Sequence, residues 1–151
     1  MMRTITLLLF LIFASVNLIS QEAQLKTGFY KVVDKDSCIK VEDYTIIKDF
    51  GTEYCLNQTP LITDANFESV DITKDTIENR ITYVVSIKLD SSGAQIIKEA
   101  TTKMVGQRAA FIINNKIVAL PTVRDPIVSG RIAVFCGEET IENVRRALKS
   151  E

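Results

Sequence analysis

The sequence predicts an α+β domain, with an antiparallel or mixed sheet of about five strands and two helices packed on one face. Three observations carry that prediction. Segments of strand-like alternation recur after Pro60, two stretches place apolar residues at helical spacing behind capping residues, and the elements follow the order hairpin, helix, hairpin, strand, helix. Composition agrees, since 151 residues with 46% hydrophobic, 25% charged and 7% aromatic residues are ordinary for one globular domain.

The chain opens on "MMRTITLLLFLIFASVNLIS", in which Arg3 is the only charge, an apolar run extends from Ile5 to Val16, and Ser20 precedes "QEAQ". This pattern reads as a secretory signal peptide over residues 1–20. A retained anchor is the rival reading, but the run falls short of the ~20 residues that cross a bilayer. No cysteine lies near a cut after Ser20, which closes the lipidated-cysteine route to a membrane. The expected mature protein is soluble and extracytoplasmic, in the periplasm or secreted, with no transmembrane span after signal removal.

Removing 20 of 151 residues leaves 131, and 18 basic residues less Arg3 are 17 against 19 acidic ones, a net charge of −2. Basic and acidic residues are interspersed, so no concentrated basic face is available for phosphate, and nucleic acid is excluded as a partner. The count of three cysteines leaves at least one unpaired within a monomer. In an oxidising compartment Cys38 with Cys55 is the expected disulfide, contributing about 3 kcal/mol through loop closure. Cys136 continues the alternation Ile132, Val134, Cys136 and is expected as a small buried residue. No Cys-x-x-Cys is present, which argues against a thiol oxidoreductase.

Residues 21–59 form an N-terminal strand and loop extension, with "TGFYKVV", "DYTIIKD" and "EYCLN" as short strand candidates between "DKDS" and "FGT" turns. Asp34 and Asp36 share one feature with a calcium loop but lack its following glycine and terminal glutamate, so they read as a turn. Residues 60–151 carry the cleaner signals. "ESVDITKD" and "ITYVVSIKLD" alternate around the polar "TIEN" and predict a hairpin. Asp90, Ser91 and Ser92 offer N-caps to a helix that sets Ile96, Ile97, Ala100 and Met104 on one face and ends at Gly106.

A second hairpin follows, "AAFII" and "KIVAL" around Asn114-Asn115, where asparagine tolerates the positive φ of a two-residue turn. Pro121 cannot donate to a ladder and so ends the strand or lies at an edge, after which "RDP" and "SGR" mark a loop leading to "IAVFC". Thr140 is placed to cap a last helix whose apolar stripe is Ile141, Val144 and Leu148.

The run "PLITDANFESV", continued by "VSIKLDSSGAQIIKEATTKMVGQRAAFIINNKIVALPTVRDPIVSGRIAVFCGEETIENVRRAL", resembles the head subdomain in the first large periplasmic domain of SecD and SecDF. The residues that carry the resemblance are Gly93, Thr101 or Thr102, Gly106 and Ala110, then Ala119, Pro121, Ile127, Gly130, Gly137 and Thr140. It covers roughly Pro60 to Leu148. Two local departures stand out: Asn114-Asn115 replaces the usual Asp-Gly turn, and Asn143 takes the place of a capping-box glutamate. SecD-type proteins couple ion flow to protein export through transmembrane helices with ionisable residues, so the resemblance implies a standalone relative of the head, not a motor.

What the resemblance implies is a non-catalytic binding module for protein or extended polypeptide. Such a module would be accessory to protein translocation across the cytoplasmic membrane, with a Sec membrane component as a candidate partner. The alternative is an envelope scaffold or adaptor that reuses the fold with an unrelated partner. The candidate contact surface is the corner Pro121 to Gly130, comprising Pro121, Val123, Arg124, Ile127, Val128 and Arg131: aliphatic residues between cations. The structural alternative is that these aliphatic side chains plug the end of the sheet, which is the default for Val and Ile. Catalysis is not expected. Histidine is absent, Glu138-Glu139 suit a helix N-terminus, Ser37-Cys38 has no partner base, and neither a phosphate-binding glycine loop nor a G-x-S-x-G elbow is present. No cofactor and no metal site are expected.

Overall fold

The computed structural model describes residues 24–38, 43–49 and 51–148, and the expected signal peptide lies outside them. The chain runs β1 (Gly28–Val33), α1 (Lys35–Cys38), β2 (Tyr44–Asp49), β3 (Thr52–Asn57) and β4 (Ile62–Thr63). A 3-10 turn leads to β5 (Phe67–Ile77), β6 (Arg80–Leu89) and α2 (Ser91–Lys103). Then come β7 (Ala109–Ile113), β8 (Lys116–Ala119), β9 (Arg131–Cys136) and α3 (Glu138–Leu148).

The α+β class holds, and the strands divide between two antiparallel sheets. The larger has the order β2-β3-β1-β7-β8, with β4 also pairing β1, and the smaller is β5-β6-β9. The five strands expected after Pro60 are present, but β7 and β8 join the larger sheet while β5, β6 and β9 form the other. The stretch before Pro60 is woven into the same scaffold: β1 pairs β7 on one side and β3 and β4 on the other.

Burial follows from the sequence of each strand. In β7 the unbroken run AAFII is buried at every position, as a strand covered on both faces requires. Strands β6 and β9 instead alternate, and their register sets Tyr83, Val85 and Ile87 opposite Cys136, Val134 and Ile132 on the inner face. The main core lies between the sheets. There Phe29, Phe111 and Ile113 of the larger sheet meet Val85, Ile87 and Val134 of the smaller one, and Ile97, Ile141 and Val144 of the helices close it. Each such side chain contributes roughly 1.5–3 kcal/mol relative to full exposure. A second cluster covers the other face of the larger sheet, where Tyr30, Leu56, Ala110 and Ile112 pack with Ile47 and Leu25.

Both long hairpins turn on two residues with positive φ, Glu78 (49°) with Asn79 (61°) and Asn114 (49°) with Asn115 (61°). This conformation matches the right-handed twist of the flanking strands. Asp90 caps α2 by accepting the Gly93 N–H at 2.6 Å.

Two expectations are corrected. Ile96 is 41% exposed and does not share the inner face of α2, which runs through Gly93, Ile97 and Thr101. Thr140 does not cap α3. The helix starts at Glu138, and the Gly137 carbonyl accepts the N–H groups of Thr140 and Ile141, so Glu138 and Glu139 occupy the first turn. The free thiol of Cys136 is buried, and burial pushes its pKa up. Cys38 and Cys55 are joined, with their Cα atoms 5.9 Å apart, which fastens α1 to β3.

Candidate functional site

The corner between β8 and β9 is fixed at both ends by the backbone. On entry, Pro121 accepts the Ala109 N–H at 2.9 Å, Val123 donates to Gln107 at 2.9 Å, and the Val123 carbonyl accepts the Gly106 N–H at 2.8 Å. Proline suits this place because its carbonyl is used while its missing N–H is not required. At the exit the Gly130 carbonyl accepts the Leu89 N–H at 2.9 Å. Gly130 has φ +64°, and a Cβ there would lie 2.8 Å from the Ala94 Cβ, so both the turn and the approach to α2 call for glycine.

Between these anchors the corner spans an open cavity of about 350 Å³ beside α2, floored by Phe29, Leu61, Ile97, Met104, Ile132 and Val134. Those floor residues come from β1, the approach to β4, α2 and its cap, and β9. Pro121, Val123, Arg124, Ile127 and Arg131 line it as well. The structure therefore brings together five of the six residues singled out in the sequence. Val128 is apart: it is 71% exposed and does not line the cavity. Val123 is buried beside Met104 and Ala109, and Ile127 is half-buried against the main core. These two follow the plugging alternative in part, while leaving the cavity open beside them.

Thr101, a buried hydroxyl-bearing side chain, lines this cavity. Its hydroxyl donates to the Ile97 carbonyl at 2.7 Å and accepts the Ile127 N–H at 2.9 Å. Both the hydroxyl and the amide are thereby satisfied, as burial demands. Arg124 and Arg131 have no ion-pair partner among the described residues, and Asp125 is the carboxylate beside them. The arrangement is chemically simple: an apolar trough with cationic flanks, suited to holding aliphatic groups.

Phe29 and Leu61 entered the floor without a sequence signal, because they lie far along the chain from the corner. The alternation of Ile132 with Val134 and the α2 face with Ile97 and Met104 mark the other floor residues as inward-facing, without marking a cavity.

Fold and cavity together define a class, an α+β domain of two antiparallel sheets with an apolar trough at the β8–β9 corner. A model of the SecDF P1 head subdomain matches residues 40–148. The chain belongs to the SecDF P1 head subdomain family.

It is similar to the protein translocase subunit SecD of Treponema pallidum, at 42% identity over 69 residues that cover 44% of this chain and 12% of that protein. SecD of Dictyoglomus turgidum is 20% identical over 135 residues, covering 85% of this chain and 32% of that one. The chain thus spans a minor part of the length of these relatives. Among solved structures, SecDF in a super-membrane-facing form aligns with a TM-score of 0.56 at 20% identity, over 80% of this chain and 18% of that one. A second structure, described as a SecDF membrane component that enhances protein export, gives 0.58 at 19% identity, over 83% and 62%. These structural likenesses bear on the fold. Among the described residues no helix is long and apolar enough to cross a membrane.

Proposed function

We propose that this chain is a non-catalytic, extracytoplasmic module that binds extended polypeptide and serves protein translocation across the cytoplasmic membrane. The observation that carries this reading is the apolar cavity at the corner, where Ile127 and Val123 sit beside the cations Arg124 and Arg131. A trough of this volume takes one or two aliphatic side chains of an extended chain, and main-chain pairing at a sheet edge supplies affinity without side-chain specificity. Membership of the SecDF head family supports the link to export, and the similarity to SecD, a protein translocase subunit, supports it further. The signal-peptide pattern of residues 1–20 supports an extracytoplasmic location, with cleavage after Ser20.

The test is Ile127→Asp, which puts a carboxylate into the apolar mouth. Binding to an unfolded secretory protein, measured by fluorescence anisotropy, is expected to fall at least tenfold, provided that circular dichroism shows an intact fold. A folded Ile127→Asp protein that binds as the parent does would remove the corner as the contact surface.

A further inference from the structure

The corner is held unevenly. Pro121 and Val123 are pinned by three backbone hydrogen bonds and Gly130 by one more; apart from the Arg131 N–H donating to the Ser129 hydroxyl at 3.3 Å at the exit anchor itself, a single hydrogen bond among the described residues ties the intervening Arg124–Ser129 to the rest of the molecule. That bond runs from the Ile127 N–H to the hydroxyl of Thr101, which is buried on α2. A hydroxyl on an otherwise apolar helix face is an expensive choice unless its partner matters. Here the partner is a segment that lies over an apolar cavity, with the Ile127 side chain packed against the core at the mouth.

We propose that Arg124–Ser129 is a lid and that Thr101 is its latch. In the latched state Ile127 occupies part of the mouth. Release of the Ile127 amide lets the segment swing between its anchors at Val123 and Gly130, and an aliphatic side chain of an extended polypeptide enters beneath Ile127, which then packs over it; Ile127→Asp loses that contact. Thr101 acts as a positioning residue: it sets how often the lid is open and touches no client in the latched state. The identity of the occupant rests on the binding reading above, whereas the latch does not.

The test compares Thr101→Val, which keeps the shape and removes the hydroxyl, with Thr101→Ser, which keeps the hydroxyl. Two readouts are needed: amide hydrogen exchange by NMR, and titration with a glycine-serine peptide carrying isoleucine at alternate positions. In Thr101→Val the Ile127 amide is expected to exchange about tenfold faster, the weight of one net hydrogen bond. The amides of Val123 and Leu89 should keep their rates, and the peptide should bind several-fold tighter. Thr101→Ser should follow the parent in both readouts.

Unchanged exchange at Ile127 in Thr101→Val would overturn the latch. So would equal loosening of all three amides, or Thr101→Ser behaving like Thr101→Val. If the Ile127 amide alone is freed and the peptide binds no form, the latch stands and the polypeptide-binding reading falls.

Discussion

The rings of Phe29 and Phe111 stack with centroids 4.5 Å apart and planes 15° apart, and the two residues are direct cross-strand partners of β1 and β7. This pair joins the N-terminal stretch to the part of the chain that carries the corner, and Phe29 also floors the cavity. The residues before Pro60 are therefore structural members of the site's scaffold. Phe29→Ala should cost about 3–5 kcal/mol, as loss of a buried phenyl ring does. Urea unfolding followed by tyrosine fluorescence checks this, and a loss under ~1 kcal/mol, the range of tolerated core swaps, would mean that β1 is loosely held.

The Cys38–Cys55 bond closes a loop of sequence separation 17. Protein isolated from an oxidising compartment, denatured and alkylated without reductant, should take up one label, on Cys136, and three after reduction. Removing the bond by Cys38→Ala with Cys55→Ala should cost about 3 kcal/mol. Three labels without reductant would show that the bond does not form.

Burial raises the pKa of the Cys136 thiol, and burial is also the main cause of the rise at the Tyr30 hydroxyl. Each group stays neutral in the folded protein at a pH where the unfolded chain has already ionised it. The stability they contribute is therefore fully present below the ordinary thiol value of 9.0 and is lost as pH rises through the folded values. Urea midpoints should stay level from neutrality to about that pH and then fall, and Cys136→Ala should blunt the start of the fall. A midpoint that rises above pH 9.0 would contradict this assignment.

Asn115 serves its hairpin twice. It holds φ at 61° in the turn, and its side-chain oxygen accepts the Leu25 N–H at 3.1 Å. Asn115→Ala loses both and should cost roughly 1.5–3 kcal/mol by thermal or urea unfolding, adding left-handed strain to one hydrogen bond. Asn114→Gly, where only φ of 49° is at stake, should be close to neutral. Equal effects at the two positions would argue against the Leu25 contact.

Features encoded within a few residues were legible in the sequence. The Asp90 cap, the Asn114-Asn115 turn and the β9 alternation were read correctly because each depends on local geometry. Ile96 was misplaced because adjacent apolar residues point about 100° apart on a helix, and only Ile97 lies in line with Gly93 and Thr101. Thr140 was misread because β9 passes through Gly137 straight into α3, with no spacer for a side-chain cap. The split into two sheets was not readable at all, since a hairpin's own sequence does not say which sheet it joins. The same holds for the site: the corner residues were visible as a segment, whereas Phe29, Leu61 and the burial of Thr101 follow from long-range packing.

The most direct test of the central claim is site-specific photocrosslinking in cells that make and export the chain. A photoreactive residue replaces Val128, which is exposed at the corner and outside the cavity, and in a second strain it replaces Thr73, exposed on the β5–β6 arm. Adducts to newly exported polypeptides or Sec components at position 128, and few at position 73, are what the account predicts. Equal labelling at both positions, or none at 128 while the protein is folded and exported, would contradict it.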